Sequence, residues 1–433
     1  MSLYEEDQAP LGIVVQKYGG SSVANAEKFR RVARRIAWKR QQGHDVVVVV
    51  SAPGDTTDDL LEKAAELTRN PSAREMDVLL STGEQISIAL LSLALQEAGC
   101  PAVSLTGPQA GFQTDDHHRG AKIQNIDTKR VRYELSLGNV VIVAGFQGLD
   151  HHGDITTLGR GGSDASAIAL AAYLEADACQ IFTDVDGVYT SDPRLVPTAA
   201  RLDEISYDEI LELAAAGAQV MQLRSVEFAK QYGVEFEVLS SLAPLPSEGG
   251  IEKGTKVVAA LSPNNNRVVS GVAVDSKVAR ITILSLPDRP GVAARVFSAL
   301  GKAKVNLDMI VQSAGVVAGG VPTADIAFTC ARDDLDLALE VCQEAVVGFT
   351  GTQLVYDIDV AKVSIVGSGV ASNYGVAAKM FEALAEKGVN IELITGSEIK
   401  ISCLVRASQA VEAVRAVHDK FELGRTAAPV EHK

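Results

Sequence analysis

The stretch 156–194 constrains the fold most, because it joins a glycine-rich loop to a helix, a strand and an acidic turn. The loop Gly159–Asp164 has little side-chain bulk but presents a guanidinium, Arg160, so it can wrap an anion. The Ala, Ile and Leu residues that follow predict a helix packed on a sheet, with Ser163 as its N-cap. Cys179–Thr183 predicts a buried strand ending in an Asp-Gly turn, at the edge where open α/β sheets bind ligands.

The length and charge of the chain limit the classes of protein to which it can belong. Its 433 residues are enough for about two or three domains with their own cores. The net charge of −15 gives no attraction for nucleic acid or an anionic membrane, so neither is expected as a partner. The one basic run, 28–40, has apolar residues at helical spacing and predicts the solvated face of an amphipathic helix.

The cysteines and the N terminus favour a cytoplasmic protein. The five cysteines are odd in number and scattered through apolar segments, so reduced core residues are expected. The first twelve residues are acidic, and no run of about 18 apolar residues occurs. We therefore expect neither a signal peptide nor a membrane span.

A second glycine loop follows the first predicted strand, 12–16. Gly19 and Gly20 let backbone N–H groups approach phosphate oxygens, and a helix beginning near Ala24 adds the partial positive charge of its N terminus. Lys17 can place its ammonium between two phosphoryl groups. The element therefore predicts a phosphate site, although it lacks the P-loop sequence pattern.

Further strands are expected at 46–50, 102–105, 140–144 and 235–239. The first of these is all valine and predicts a central strand of a parallel sheet, with Ser51 at its carboxyl end. Helices are predicted at 58–69 and 84–98, so that Glu84 lies in a first helical turn, where the helix dipole favours a negative charge.

The histidines come as two adjacent pairs in polar loops, His117 with His118 and His151 with His152. No third ligand is visible at metal spacing, so solvated histidines are expected and no metal site is predicted.

Pro, Gly and Asn residues punctuate 243–250 and 262–266 and predict a domain boundary. Beyond the boundary the chain repeats itself, because 278–313 aligns with 360–397. Each copy predicts the element order β-α-β-β-α-β, the ferredoxin-like arrangement.

The segments KYGGSSV, LLSTGE, GRGGSD and TDVDGVYTSDPR resemble the aspartokinase branch of the amino-acid kinase family, and the repeat resembles a pair of ACT domains. The resemblance covers about 16–424. It implies an α/β protein: an amino-acid kinase (carbamate kinase-like) αβα sandwich followed by two ferredoxin-like ACT domains. The implied boundaries are 11–245 for the catalytic domain, 246–265 for a linker, 266–358 for the first ACT domain and 359–425 for the second.

The resemblance also implies an activity, ATP-dependent phosphorylation of the side-chain carboxylate of L-aspartate, with Mg²⁺ on the phosphates. Lys17 and Asp164 take the catalytic positions. The substrate would contact Ser51, Glu84, Arg160, Gly161 and Ser163. The nucleotide would contact Lys17, Tyr18, Gly19, Gly20, Thr183, Asp184, Tyr189 and Arg194. Gln219 departs from the family, which usually has a lysine there that helps to hold nucleotide.

The ACT resemblance implies feedback inhibition by threonine, and less firmly by lysine, in a homo-oligomer that is a dimer or larger. The threonine site matches Asp288, Gly291, Ala293, Gln312, Asn390 and Ile391. The lysine site matches Asp308, Val376 and Ser397, while Asn373 and Ala377 depart from it.

Two alternatives stay open. Another amino-acid kinase, acting on glutamate or N-acetylglutamate, would share the sheet and the glycine loops. A non-catalytic ACT amino-acid sensor would keep the fold without the reaction.

Overall fold

The structure is a computed structural model and describes residues 11–218, 221–245, 248–250, 252–265, 267–313, 316–318 and 321–424. These residues form two compact units. The first holds the described residues up to Val188, then Arg201–Ala214 and the described part of Gln219–Pro263; the second holds Tyr189–Ala200, Ala215–Ala218 and the described residues from 264 onward.

The strands of the first unit are β1 Ile13–Tyr18, β2 Asp45–Val50, β3 Ala102–Leu105, β4 Phe112–Thr114, β5 Ile123–Ile126, β6 Val140–Ala144, β7 Gln147–Leu149, β8 Ile155–Thr157, β9 Ala178–Thr183, β10 Glu204–Ser206, β11 Phe236–Ser240 and β12 Thr255–Val258. Its helices are α1 Ala26–Gln41, α2 Thr56–Leu67, α3 Ala73–Glu97, α4 Lys129–Ser136, α5 Gly162–Leu174, α6 Tyr207–Ala215 and α7 Leu223–Tyr232.

An eight-stranded sheet with the order β10-β12-β11-β9-β1-β2-β6-β3 forms the centre of the first unit. Strands β9, β1, β2 and β6 are neighbours and run parallel. Val46, Val48 and Val50 pack with residues of α1 and α3 on one face, whereas α5 packs on the opposite face, beside Val49. Because both faces are covered, β2 is apolar on both sides, as its valine run predicts.

A smaller sheet with the order β5-β4-β7-β8 lies in the same unit. Strands β4 and β5 form one hairpin and β7 and β8 another, and β4 pairs with β7 in parallel. The parallel pairing places the tips of both hairpins at one end of the sheet.

Helix α3 differs from the sequence prediction, because it is one 25-residue helix that begins at Ala73. The segment 79–83, predicted to separate two helices, lies inside it. Gly83 is tolerated there because a Cβ at this position would lie 2.7 Å from the Cβ of Ala52, so glycine allows close packing. By length and composition alone α3 could cross a membrane, but half of its most apolar stretch is buried, as in the core helix of a soluble domain.

The second unit contains two antiparallel sheets. Its strands are β13 Gly271–Asp275, β14 Val278–Pro287, β15 Leu307–Gln312, β16 Val316–Ala318, β17 Val321–Ala331, β18 Gln353–Asp357, β19 Val360–Val366, β20 Leu393–Gly396 and β21 Lys400–Arg406. Its helices are α8 Val292–Lys302, α9 Leu335–Ala345, α10 Val376–Glu386 and α11 Ala410–Lys420.

The first module of the repeat follows the predicted order, with the sheet β15-β17-β14-β18 covered by α8 and α9. The second module has the sheet β13-β19-β21-β20. Here the structure corrects the prediction, because β13, from before the first module, occupies the edge position that the last strand of the repeat was expected to fill.

The strand pairings also bear on the predicted domain boundaries. The predicted linker 246–265 contains β12, which is a strand of the large sheet. The segment Tyr189–Ala200, predicted to lie in the catalytic domain, belongs to the second unit, where Val196 is buried among residues of the second module.

Candidate active site

The carboxyl ends of β9, β1, β2 and β6 form one edge of the large sheet, because these four strands are parallel neighbours. Strand β1 ends beside Gly19, β2 beside Ser51 and β9 at Thr183. The glycine loop and Ser51, which the sequence predicts as site elements, therefore meet at the ligand-binding edge of the sheet.

Lys17 and Asp164 form an ion pair at this edge, with Nζ 2.6 Å from Oδ1. Lys17 comes from β1 and is 9% exposed, while Asp164 comes from the first turn of α5. The N-cap of α5 is Gly161, at φ 74°, so the prediction of Ser163 as the cap is wrong. Ser163 lies inside the first turn, where its backbone N–H lacks an intrahelical partner.

Gly20, in the loop after Lys17, is required by close packing. A Cβ at Gly20 would lie 2.6 Å from the carbonyl oxygen of Ala52, and Gly54 donates its N–H to the carbonyl of Gly20 at 3.1 Å. Tyr18 does not present its side chain to a ligand. It is fully buried, its ring stacks on Phe182 at 4.7 Å, and burial raises the pKa of its hydroxyl far above the ordinary value. The prediction of Tyr18 as a nucleotide contact can therefore hold only for its backbone.

Glu84 lies in the middle of α3 rather than at a helix start, and it is only 4% exposed. Its Oε1 accepts a hydrogen bond from the backbone N–H of Ala52 at 3.0 Å. Its Oε2 is buried and, among the described residues, has no hydrogen-bond partner. Burial raises the pKa of Glu84 to about 7, against the opposing effect of the Ala52 hydrogen bond. A cationic ligand group bound at Oε2 would compensate the burial of the charged carboxylate and supply its missing hydrogen-bond donor.

Arg160 is exposed and makes no ion pair or hydrogen bond within the part of the chain that the structure describes. The backbone around Arg160 is held by side chains of α7. Ser225 Oγ donates to the carbonyl of Gly161 at 3.0 Å, and the Arg224 guanidinium donates to the carbonyl of Leu158. The loop is therefore held while the Arg160 guanidinium stays available for a ligand.

The predicted nucleotide residues divide between the two units. Thr183 ends β9 in the first unit and Asp184 follows it, and Thr183 Oγ1 donates to Asp184 Oδ1 at 3.0 Å. Tyr189 and Arg194 belong to the second unit, and Arg194 pairs with Asp192 at 2.7 Å. Gln219 lies outside the described residues.

The histidine loops correct another expectation, since potential metal ligands from the two loops lie close together in two groups. The ligand atoms of His118, Asp150 and Asp154 lie within 4.8 Å of one another, as do those of Asp116, His151 and His152. In the first group each side chain already has a partner on the protein. His118 contacts Asp77, Asp150 accepts from backbone amides, and Asp154 pairs with Arg74.

The residues predicted to bind threonine lie in the second unit. Asp288 and Gly291 are exposed before α8, and Gly291, at φ 95°, is its N-cap. Gln312 is the exposed last residue of β15 and Asn390 is exposed after α10. Ala293 and Ile391 are half-buried. No described side chain pairs with the Asp288 carboxylate, so this carboxylate is available for an ammonium.

The residues predicted to bind lysine are less available. The carboxylate of Asp308 forms an ion pair with the buried ammonium of Lys362. Val376 is buried at the start of α10. Only Ser397, just after β20, is exposed without such a constraint. A lysine ligand would have to compete with Lys362 for the Asp308 carboxylate.

The sequence interpretation missed two residues that hold the Arg160 loop, Asp77 and Arg224. Asp77 is fully buried on α3, and Arg224, at the start of α7, donates to carbonyls of two loops. A continuous helix through 77–84 would have placed Asp77 and Glu84 on the same side of α3. The predicted break at 79–83 concealed that signal.

The amino acid kinase family model matches residues 12–240, and the ACT domain model matches 284–346 and 363–421. An aspartokinase of Corynebacterium glutamicum is 48% identical over 96% of this chain and 97% of its own. The structure of E. coli aspartokinase III with aspartate and ADP (R-state) is 25% identical, with a TM-score of 0.74, over 94% of this chain and 99% of that chain. The structure of the same enzyme with lysine and aspartate (T-state) has a TM-score of 0.72, at 25% identity and the same coverage.

The matches extend over the catalytic unit and both modules, and the identity is high over nearly the whole length of both chains. Together with the Lys17–Asp164 pair and the buried Glu84 at the sheet edge, they show that the chain belongs to the aspartokinase family.

Proposed function

We propose that this protein transfers the γ-phosphoryl group of ATP to the side-chain carboxylate of L-aspartate, giving 4-phospho-L-aspartate. The observation that carries the proposal is Glu84, whose buried Oε2 lacks a partner among the described residues and fits the α-ammonium of an amino acid. The exposed, unpaired Arg160 supplies the complementary group, because a guanidinium can bind the α-carboxylate with two parallel hydrogen bonds.

The reaction needs positioning and charge neutralisation more than a general base. The side-chain carboxylate of aspartate has a pKa of about 3.9 and is ionised at neutral pH, so its oxygen attacks the γ-phosphorus without losing a proton. Lys17, held by Asp164, faces the charge that develops on the phosphates. Asp164 orients the ammonium and does not abstract a proton.

The nucleotide would lie along the ends of β1 and β9. Backbone N–H groups at Gly19, Gly20 and the start of α5 offer donors for the phosphates. Mg²⁺ would enter with ATP and neutralise phosphate charge, and the oxygens of Thr183 and Asp184 are of the ligand type that it prefers. Ser51 and Ser163 are proposed to add hydroxyl groups to the substrate pocket.

A direct assay tests this proposal against the alternative kinases. ADP release would be measured with aspartate, glutamate and N-acetylglutamate at equal concentrations, with MgCl₂ present and then removed by chelation. We expect turnover with aspartate that depends on Mg²⁺. Turnover with glutamate alone would replace aspartate as the substrate, and no turnover with any of them would favour a sensor without catalysis.

We further propose that the modules bind end products of the pathways that consume the phosphorylated product, threonine first and lysine second, and that a homo-oligomer carries the response. The exposed Asp288 and the backbone of Gly291 and Ala293 at the start of α8 offer groups for an ammonium and a carboxylate. The Asp308–Lys362 pair makes lysine the weaker candidate. We also propose a cytoplasmic location.

Titration of threonine and lysine, singly and together, tests this control in the wild type and in Asp288→Ala. We expect threonine to inhibit the wild type and to lose most of its effect on Asp288→Ala, whereas Asp336→Ala, on the neighbouring α9, should respond like the wild type. If neither amino acid changes rate or melting temperature, the modules serve assembly only. Light scattering with and without threonine would give the oligomeric state.

A further inference from the structure

We propose that Asp77 is a positioning residue, which fixes the loop bearing Arg160 relative to the helix bearing Glu84. The proposal deepens the aspartate site proposed above and rests on it. Asp77 and Glu84 lie about two turns apart on α3, and both are buried. Glu84 would hold one end of the amino acid, and the partners of Asp77 lead to the group that would hold the other.

The Asp77 carboxylate is fully buried and accepts hydrogen bonds from two separate segments. His118 Nδ1 lies 2.7 Å from Oδ2, and the backbone N–H of Arg119 lies 3.1 Å from both oxygens. Thr157 Oγ1 donates to Oδ1 at 2.5 Å. A buried carboxylate with this many donors is well satisfied and holds its partners rigidly.

Both segments adjoin the loop that carries Arg160. Thr157 ends β8, immediately before this loop, and is almost fully buried. Arg119 has φ 64°, a conformation that is unfavourable for arginine, and its backbone hydrogen bonds to Asp77 offset that cost. The carbonyl oxygen of Arg119 lies only 3.1 Å from the position of a Cβ at Gly159. The strained turn therefore forms one wall of the loop.

A second clamp closes the other side of the same loop. The Arg224 guanidinium bridges the carbonyls of Leu158 and Ala121, and the Ala121 N–H donates to the carbonyl of Thr157 at 2.9 Å. The backbone on both sides of Arg160 is thus fixed to neighbouring segments, although the Arg160 side chain has no partner among the described residues. Its guanidinium can be aimed only through this backbone frame.

The spacing between Arg160 and Glu84 matters because one small ligand would have to reach both groups. A misplacement of about 1 Å between two such groups can cost on the order of 100-fold in rate. The hydrogen bond from Thr157 to Asp77 is a direct link between the base of the Arg160 loop and α3. Loss of that link should act on aspartate binding and leave ATP binding almost unchanged.

A matched pair of variants at Thr157 tests the link with little change in shape. Thr157→Val removes the hydroxyl and keeps the volume, whereas Thr157→Ser keeps the hydroxyl and loses a methyl group. We expect Thr157→Val to raise the KM for aspartate about 10- to 150-fold, which corresponds to the loss of one hydrogen bond to a charged group, with the KM for ATP within about twofold. Thr157→Ser should keep the wild-type KM for aspartate.

Asp77→Asn should act in the same direction and more strongly, and Asp150→Asn is its control. Asp150 is also a buried aspartate in a hairpin loop, where its carboxylate accepts hydrogen bonds from the backbone amides of His152 and Asp154, but within the described residues it makes no hydrogen bond or ion pair with 158–161. Melting temperatures would be measured for all variants, so that a change in KM can be compared at equal stability. If Asp77→Asn does not fold, the Thr157 pair still decides the question.

Hydrogen exchange of the amides in 158–162 gives a readout that does not depend on turnover. We expect faster exchange there in Thr157→Val and Asp77→Asn than in the wild type or Asp150→Asn. The proposal is overturned if both variants keep the wild-type KM for aspartate, or if the KM values for aspartate and ATP rise equally. If the wild type does not phosphorylate aspartate at all, the proposed function fails, while the exchange data still report whether Asp77 holds the loop.

Discussion

The Glu84 carboxylate on α3 reaches the end of β2, where its Oε1 lies 3.0 Å from the backbone nitrogen of Ala52. This contact satisfies one oxygen and leaves the other buried without a protein donor among the described residues. The Glu84 carboxylate thereby joins α3 to the end of β2, although only one of its two oxygens has a hydrogen-bond donor in the part of the chain that the structure describes. Burial makes the charged form of this carboxylate unfavourable, so the stability of the folded protein should depend measurably on pH.

Glu84→Gln should stabilise the ligand-free protein above neutral pH. Burial raises the pKa of Glu84 from 4.5 to about 7, so the folded chain holds a proton that the unfolded chain releases between these values. The contribution to stability is full below about pH 4.5 and is lost as the pH rises through about 7. At pH 8 the loss amounts to about 3 kcal/mol. Thermal unfolding of the two proteins at pH 5 and at about pH 8 measures it.

The same substitution should abolish tight aspartate binding, because glutamine offers no charge for the α-ammonium. Compared with the wild type, Glu84→Gln should therefore have a higher free energy of unfolding above neutral pH and a lower affinity for aspartate. If Glu84→Gln is less stable than the wild type at both pH values, Oε2 has a partner that the geometry does not reveal.

Arg160→Lys should raise the KM for aspartate about 30- to 150-fold, since a point charge replaces a planar fork worth about 2 to 3 kcal/mol at the α-carboxylate. The KM for ATP should change little. Initial rates over a range of both substrates measure the two constants. Arg132→Lys is the matched control, because Arg132 lies on α4 and its guanidinium is already used by the carbonyl of Leu174. Equal aspartate kinetics in Arg160→Lys and the wild type would remove Arg160 from the site.

Lys17→Ala should lower kcat by about 100-fold or more, because Lys17 faces charge that grows in the transition state. The change also leaves Asp164 at the sheet edge without its cation, so the melting temperature must be followed in parallel. Lys63→Ala, at an exposed position on α2, serves as the control. A kcat within about threefold of the wild type would contradict the phosphate role assigned to Lys17.

His418 should make the second unit less stable in acid. It is fully buried on α11, its Nε2 lies 2.9 Å from Thr190 Oγ1, and burial lowers its pKa below the ordinary value, against the opposing effect of Asp419. Because the unfolded chain then binds the proton more readily, stability falls as the pH drops below about 6.5. His418→Gln should show a smaller loss between about pH 7.5 and pH 5 by thermal unfolding. An unchanged pH dependence would assign the acid sensitivity to other groups.

The sequence predicts the parts of the site that depend on local patterns. Apolar strands followed by polar loops predict that Lys17, Ser51 and Thr183 lie at one edge of the sheet, where the structure has them, because the carboxyl ends of parallel strands share an edge. The role of Asp77 could not be predicted from local patterns, because it depends on contacts with His118 and Thr157, which are distant in sequence. The break predicted inside α3 failed because Gly83 packs closely against Ala52 and the hydroxyl groups of Ser81 and Thr82 donate to carbonyls of the preceding helical turn.

The pairing of β13 could not be predicted from the sequence for a different reason. A five-residue apolar strand carries no information about its partner, and the sequence places Gly271–Asp275 beside the first module. Its actual register, with Val272 opposite Ile365, is set by the open edge of β19. Proximity along the chain was the wrong guide here.

The place of β13 makes the first module an insertion within the second. A fragment that begins at residue 359 would lack the outermost strand of its own sheet and would leave one edge of β19 unpaired, which invites edge-to-edge aggregation. A regulatory fragment that begins just before Gly271 would carry both modules complete. Any continuous fragment that carries the second module complete therefore also carries the first, because the first lies between β13 and β19.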